Sequence, residues 1–155
     1  MTVKAMGRLN WITPLASVIF QALVVCDDIR FENNGKLLLI GVYSDTVQVF
    51  KLPLQLRSLG LAVRAKVMSA GRIRFSVSAT DPQGNSLLEA NGEMNYDGEP
   101  GRTIWLPIVM GPALLTTEGN YSVRVALGDA PAIHESFAVK KAPTPEPPAP
   151  PLPPN

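Results

Sequence analysis

QALVVCDDIRFENNGKLLLIGVYSDTVQV, residues 21–49, is the stretch that decides the predicted fold class. Two apolar runs flank the dipeptide Asn34-Gly35. Asn-Gly is a strong short-range signal of a β-hairpin, because both residues tolerate the positive φ of a type I′ turn. The stretch therefore predicts two antiparallel strands, at 21–30 and 36–43, joined by a tight turn.

Short extended runs continue along the rest of the chain, with turn signals between them. Apolar and polar residues alternate in these runs, which indicates strands with one face on a core and one in water. Pro107 lacks a backbone donor and places its strand at a sheet edge or bulge. The pattern predicts an all-β, single-domain, antiparallel β-sandwich of immunoglobulin-like type. Its nine expected strands lie at 21–30, 36–43, 46–50, 61–67, 73–79, 87–94, 104–110, 121–127 and 133–139.

Composition shifts set the expected domain limits. Residues 142–155, APTPEPPAPPLPPN, contain eight prolines, which have no backbone donor and fix φ near the polyproline II value. We therefore expect a disordered proline-rich tail at 142–155, a β-sandwich domain at 12–141 and a flexible N-terminus at 1–11. The tail is also a candidate ligand for a polyproline-binding domain.

Charge and cysteine content exclude some classes of protein. The 155 residues carry 14 Lys and Arg against 13 Asp and Glu, so a dedicated nucleic-acid binder is not expected. The single cysteine, Cys26, permits no intramolecular disulfide. Residues 11–26 resemble a signal peptide, but Pro14 and Gln21 interrupt the apolar run, which is too short to span a bilayer. We expect a cytoplasmic location, with export as the alternative, and no membrane association.

The strand at 37–43 is apolar on both faces. Leu38, Ile40 and Val42 alternate with Leu37, Leu39 and Tyr43. A strand buried on both faces is central in its sheet, so we expect residues 11–20 or a partner subunit to cover its outer side. Gly41 within the strand indicates a bulge or a close backbone approach.

Part of the hairpin resembles a bacterial family of domains of unknown function. The residues that carry this resemblance are Cys26-Asp27-Asp28-x-Arg30, then Gly35-Lys36, then Leu39-Ile40-Gly41-Val42-Tyr43. The resemblance extends over about residues 21–139 and includes the final Gly-x-Tyr and Phe-x-Val strands. It implies a sandwich fold, and it implies no activity, cofactor or catalytic residue.

Asp27 and Asp28 are the candidate metal ligands. Carboxylate oxygens suit hard cations such as Ca²⁺. In an extended chain, however, neighbouring side chains point to opposite faces, so a site needs Glu32, Asp45 or loop carbonyls to join one aspartate. The alternative is structural, with Asp28 paired to Arg30 or Lys36.

Four basic residues form the candidate anion-binding face. If 61–67 and 71–79 pair as a hairpin, the odd-numbered apolar residues of both strands share the core face. The even-numbered Arg64, Lys66, Arg72 and Arg74 then stand together on the outer face. Such a stripe suits an anionic partner, and the alternative is a solvated face whose charges discourage edge pairing.

No catalytic grouping is recognisable. A nucleophilic pair would need Cys26 and His134, and no third residue orients them. Trp11 and Trp105 are expected to be packing anchors. The sequence therefore predicts no cofactor and no enzymatic activity. It favours a binding or assembly module that contacts a protein partner or itself, with metal or anion binding as the alternative function.

Overall fold

The computed structural model describes residues 13–143, and this part of the chain contains eleven β-strands and no helix. The strands are β1 (Val18–Phe31), β2 (Leu37–Val42), β3 (Thr46–Val49), β4 (Leu54–Leu56), β5 (Leu59–Val67), β6 (Gly71–Thr80), β7 (Ser86–Tyr96), β8 (Arg102–Met110), β9 (Ala113–Leu115), β10 (Gly119–Leu127) and β11 (Ile133–Lys141).

Nine of these strands form two stacked sheets. One sheet has four strands in the order β2-β1-β5-β8, and the other has five in the order β3-β11-β10-β6-β7. The short strands β4 and β9 pair separately. The predicted all-β sandwich is confirmed, with one departure from the antiparallel pattern, since β3 runs parallel to β11.

The main core lies between the two sheets. Odd-numbered residues of β5, including Leu61 and Val63, are fully buried against those of β10, including Val123 and Val125. This arrangement follows from the period-two pattern, because alternate residues of a strand face the same side. Removing these side chains from water is the main favourable term in the folding of such a sandwich.

Tyr121 forms a tyrosine corner at the start of β10. Its hydroxyl donates a hydrogen bond to the carbonyl oxygen of Thr117 at 3.0 Å. The same oxygen accepts from the backbone N–H groups of Thr116 and Thr117 at 3.2 and 3.4 Å. A tyrosine that bonds back to the backbone a few residues upstream is a hallmark of immunoglobulin-like sandwiches.

The alternation pattern in the sequence did not predict two short strands, and one strand starts earlier than expected. The missed strands β4 and β9 have three residues each, which is too short to show a period. β1 begins at Val18, which pairs with Val67, and Leu15 bridges to Arg72. The predicted flexible N-terminus, and the predicted tail beyond Pro143, lie outside the described residues.

The expectation that the 37–43 strand is central in its sheet is wrong. β2 pairs only with β1 among the described strands and forms an edge of the four-stranded sheet. The reason is the chain path, because the turn after β2 sends the chain to the opposite sheet, where β3 joins β11. The two apolar faces of β2 therefore need another explanation.

Candidate functional site: the β1–β2 hairpin

The β1–β2 hairpin packs one of its faces on the outside of the four-stranded sheet. Ala62 is an even-numbered residue of β5, so it points away from the main core, and it is fully buried nonetheless. It forms a second small core with the buried residues Cys26 and Ile29. Leu37 and Leu39 of β2 pack against this cluster. The second core accounts for one apolar face of β2.

Two glycines permit the close approach of the hairpin. A Cβ atom at Gly60 would lie 2.9 Å from the Sγ of Cys26 and 3.0 Å from the Cγ1 of Ile29. Gly41 has φ +62°, and a Cβ there would overlap the carboxylate of Asp27 on the neighbouring strand. The predicted close approach at Gly41 is confirmed, and the group that approaches is the side chain of Asp27.

Asp27 and Tyr43 connect the base of the hairpin to the second sheet. The Tyr43 hydroxyl donates to the Asp27 carboxylate at 2.9 Å. The ring of Tyr43 packs edge-on against Phe137 of β11, with 4.9 Å between the ring centroids. Because Tyr43 directly follows β2, these contacts hold the end of β2 at a defined position between the sheets.

Burial raises the pKa of the Tyr43 hydroxyl, and the hydrogen bond to Asp27 raises it further. Burial also raises the pKa of the Cys26 thiol, with a smaller contribution from the charge of Asp27. The native state therefore keeps both protons at a pH at which the unfolded chain begins to lose them. The resulting stabilisation is complete below these unfolded pKa values, about 8.5 for Cys and 10 for Tyr, and is lost as the pH rises above them.

We expect the free energy of unfolding to fall in alkaline solution, with Tyr43 contributing above pH about 10. Tyr43→Phe removes the titrating hydroxyl. From pH 10 to 11, the free energy of unfolding of this variant should therefore fall by about 1 kcal/mol less than that of the unaltered protein. Urea denaturation at both pH values measures this difference. Parallel losses in the two proteins would contradict the assignment to Tyr43.

The other apolar face of the hairpin is open to solvent. Leu38 is 45% exposed, Ile40 37% and Val42 56%. These side chains flank the free edge of β2, where the described residues supply no further strand. The second apolar face therefore remains uncovered in the described part of the chain.

β2 also lacks the features that protect the other sheet edges. Edge strands resist association when they are very short, charged or interrupted by proline. β3 has four residues, β7 carries Glu89 and Glu93, and β8 contains Pro107. The sequence of β2 is LLLIGV, which has no charge and no proline. Among the four edges of the two main sheets, β2 is the one best suited to pair with another strand.

An apolar groove lies on the opposite side of the hairpin from these exposed residues. It has a volume of about 350 Å³, and its walls are Phe31, Gly35, Lys36, Leu37, Leu39 and Trp105. Trp105 comes from the outer face of β8, where it is 42% exposed. The guanidinium carbon of Arg64, its cross-strand neighbour, lies 5.9 Å from the ring centroid. The expectation that Trp105 is a packing anchor is wrong, because this residue faces outward and belongs to neither hydrophobic core. Trp11, the other expected anchor, lies outside the described residues.

The two candidate metal ligands, Asp27 and Asp28, form hydrogen bonds with different side chains. Asp28 binds the Nε of Arg30 at 2.9 Å and accepts from the backbone N–H of Ile29. The Arg30 hydrogen bond is the main reason that the pKa of Asp28 is lowered. Asp27 instead binds Tyr43. Across residues 13–143, no group of three or more metal-ligating side chains occurs.

The four basic residues do not share one face, and the expectation of a common stripe is wrong. β5 pairs with β1 and β8, whereas β6 pairs with β10 and β7. Arg64 and Lys66 therefore lie on one sheet, and Arg72 and Arg74 on the other. The short connection between β5 and β6 crosses between sheets instead of closing a hairpin. Glu93 lies 3.9 Å from Arg72 and 3.6 Å from Arg74.

Cys26 and His134 do not meet either. Cys26 is buried in the second core, and His134 is an exposed residue of β11 opposite Arg124 in the other sheet. Sequence reasoning also missed the groove, because it joins a hairpin tip to β8, more than sixty positions away in the chain. The available signals were Phe31 and Trp105, two large aromatic residues in outward positions of their strands.

The stacked sheets and the tyrosine corner define an immunoglobulin-like β-sandwich. The chain belongs to DUF6941, a family of unknown function, which matches residues 21–140. This agrees with the resemblance of the hairpin to an uncharacterised family. No curated protein matches the sequence.

Three solved structures that resemble this chain are distant from it in sequence. A β-glucosidase from Erythrobacter marinus matches at 10% identity and a TM-score of 0.47, over 81% of this chain and 16% of that enzyme. A β-glucosidase from Listeria innocua gives 11% identity and 0.46, over 82% and 16%. The CARDB domain of a Pyrococcus furiosus protein, in complex with di-metal ions, gives 14% identity and 0.36, over 90% and 100%. With all three scores below 0.5, none of these proteins indicates an activity for this chain.

Within residues 13–143, there is no helix of the length and apolar character needed to cross a membrane.

Proposed function

We propose that the protein is a non-enzymatic binding module that acts through protein–protein contacts and associates with a second copy of itself. The single observation that supports this function is the free edge of β2, which is flanked by exposed apolar side chains and carries no charge or proline. A cytoplasmic location remains a prediction from the sequence alone.

Self-association through β2 follows from the chemistry of a strand edge. Unpaired backbone N–H and C=O groups on an edge form a template for another strand. Two copies of the same edge pair antiparallel around a two-fold axis, which is the commonest symmetry of soluble homodimers. Leu38 and Ile40 would then be covered by the partner copy. Gly41, with φ +62°, limits the regular part of the edge to 37–40.

Metal or anion binding, the alternative function, has weaker support in the structure. Asp27 and Asp28 each have a protein partner, and the basic residues are divided between two sheets. Thermal melting with calcium, zinc and polyphosphate tests this alternative. A ligand at a hundred times its dissociation constant stabilises a protein by about 2.7 kcal/mol, so genuine binding would raise Tm clearly.

Ile40→Lys is the test of the proposed interface. A lysine on the exposed face of β2 adds a charge to the edge of each copy, and charged side chains on an edge strand oppose pairing with another strand, so we expect at least a tenfold weaker self-association. Light scattering coupled to gel filtration, over a range of concentrations, measures the molar mass. The matched control is Leu114→Lys on β9, where the leucine is 49% exposed, against 37% for Ile40. A monomeric unaltered protein, or a dimer that survives Ile40→Lys, would exclude this interface.

A further inference from the structure

We propose that the groove between the hairpin and Trp105 binds a polyproline II helix, and that its occupant is the proline-rich segment 144–155 of the same chain. This inference goes beyond the proposed function, because it uses the face of the hairpin opposite Ile40. Self-association through β2 and binding of the proline-rich segment in the groove can therefore be tested separately.

The groove has the chemistry that polyproline recognition requires. Proline-rich segments dock in grooves lined by aromatic side chains, which pack against the pyrrolidine rings. Here Phe31 and Trp105 supply the aromatic walls, and Leu37 and Leu39 supply the apolar floor. The indole N–H of Trp105 is a donor for the solvated carbonyl groups of a polyproline II backbone.

The segment has the matching chemistry. Seven of the residues 144–155 are proline, and the PxxP spacing recurs, as in Pro147 to Pro150 and Pro150 to Pro153. Proline restricts φ before binding, so a proline-rich segment loses little conformational entropy when it is held in a groove. Prolines lack the N–H groups needed for strand pairing, so this segment suits the groove better than the edge of β2.

Charge is complementary between the two surfaces. Lys36 lines the groove, and the guanidinium group of Arg64 lies over Trp105. The only charged side chain within 144–155 is Glu146. A basic rim and a segment with a single acidic side chain attract each other at moderate ionic strength.

The described chain ends on the side of the sandwich that carries the hairpin. The N–H of Ala142 donates to the carbonyl of Val49 at 2.8 Å, so the chain leaves beside β3. Residues 43–45 join β3 directly to β2. Twelve residues of polyproline II span about 37 Å, whereas stacked sheets lie about 10 Å apart. The segment is therefore long enough to pass from β11 to the outer face of the opposite sheet.

The test compares the full chain with a variant in which the seven prolines of 144–155 are replaced by serine. The reporter is the indole N–H signal of Trp105 in a ¹H–¹⁵N spectrum, identified with Trp105→Phe. We expect the signal to differ between the two proteins. A synthetic peptide of residues 142–155, titrated into the serine variant, should return the signal to its position in the full chain and saturate.

Two phenylalanine variants, both made in the serine variant, locate the peptide. Phe31→Ala removes a groove wall and should weaken peptide binding at least tenfold. Phe50→Ala changes an equally large residue that is 94% exposed and outside the groove, so affinity should not change. Identical Trp105 signals in the two parent proteins, or equal affinity for both alanine variants, would overturn the proposal. In the Ile40→Lys background, a difference between the Trp105 signals of the two parent proteins that grows with protein concentration would assign the occupant to a second copy and overturn the intramolecular assignment.

Discussion

Gly41→Ala is expected to lower the free energy of unfolding by about 3 kcal/mol. An L-residue at φ +62° costs about 1–2 kcal/mol. The new methyl group also overlaps the carboxylate of Asp27, which must move away and lose its hydrogen bond from Tyr43. A hydrogen bond to a charged group contributes about 1.5–3 kcal/mol. Urea denaturation with linear extrapolation measures the loss.

Gly35→Ala is the matched control for the backbone contribution. Gly35 has φ +80°, and a Cβ atom there would have nothing within 4 Å. Its substitution by alanine therefore tests the conformational cost alone, about 1–2 kcal/mol. Equal destabilisation by the two substitutions would show that the Asp27 contact contributes nothing.

Tyr121→Phe is expected to lower the free energy of unfolding by about 2–3 kcal/mol. The Tyr121 side chain is 1% exposed, and its hydroxyl bonds two backbone N–H groups and one carbonyl. Removing the oxygen leaves these partly buried backbone groups without their partner, and a polar group that loses its partner costs up to about 1–3 kcal/mol when water cannot replace it. The shift of the urea midpoint, at unchanged m-value, reports the effect.

Tyr96→Phe serves as the control for losing a tyrosine hydroxyl. The Tyr96 hydroxyl donates to the carbonyl of Glu99 at 2.8 Å in an exposed position, where water can replace it. We expect a loss of about 0.5 kcal/mol or less. If Tyr121→Phe is as mild as this control, the tyrosine corner does not stabilise the fold.

The Gly41 and Ile40 substitutions also separate the stability of the hairpin from its binding surface. Gly41 shapes the contact between β2 and Asp27, whereas Ile40 is exposed on the free side of β2. Because a lysine side chain at position 40 reaches solvent, Ile40→Lys should leave the urea midpoint nearly unchanged at a protein concentration at which both proteins are monomeric. A loss of self-association in that variant would then reflect the interface and not the fold.

Local patterns predicted most of the strands. The first hairpin, the edge position of Pro107 and the pairing of β10 with β11 all appear in the structure. Each of these depends on residues that are close in sequence, so backbone preference and side-chain alternation decide them. The predicted type I′ turn is wrong, because Gly35 has φ +80° but Asn34 does not adopt a positive φ, and the N–H of Gly35 instead donates to the carbonyl of Glu32 at 2.9 Å. The short strands β4 and β9 form only because they pair with each other, and they are far apart in the sequence. The sequence around each of them therefore shows no pattern that predicts it.

The candidate sites were less predictable, because they depend on which strands become neighbours. The basic stripe required β5 and β6 to pair, and a short connection between two strands allows either a hairpin or a crossing between sheets. A doubly apolar strand indicates a central position in a sheet, but a hairpin packed on the outside of a sheet buries one face equally well. Side-chain alternation is the same in both arrangements.

The sequence by itself determined that this chain is an all-β sandwich, and it identified the hairpin within residues 21–43 as its distinctive element. Turn chemistry and period-two alternation act over a few residues and are visible without a structure. Only the tertiary structure decided that β2 is an edge, that Leu37 and Leu39 cover a second core, and that Phe31 meets Trp105 across a groove. These features arise from contacts between distant segments, for which burial of apolar surface, and not local backbone preference, selects the arrangement.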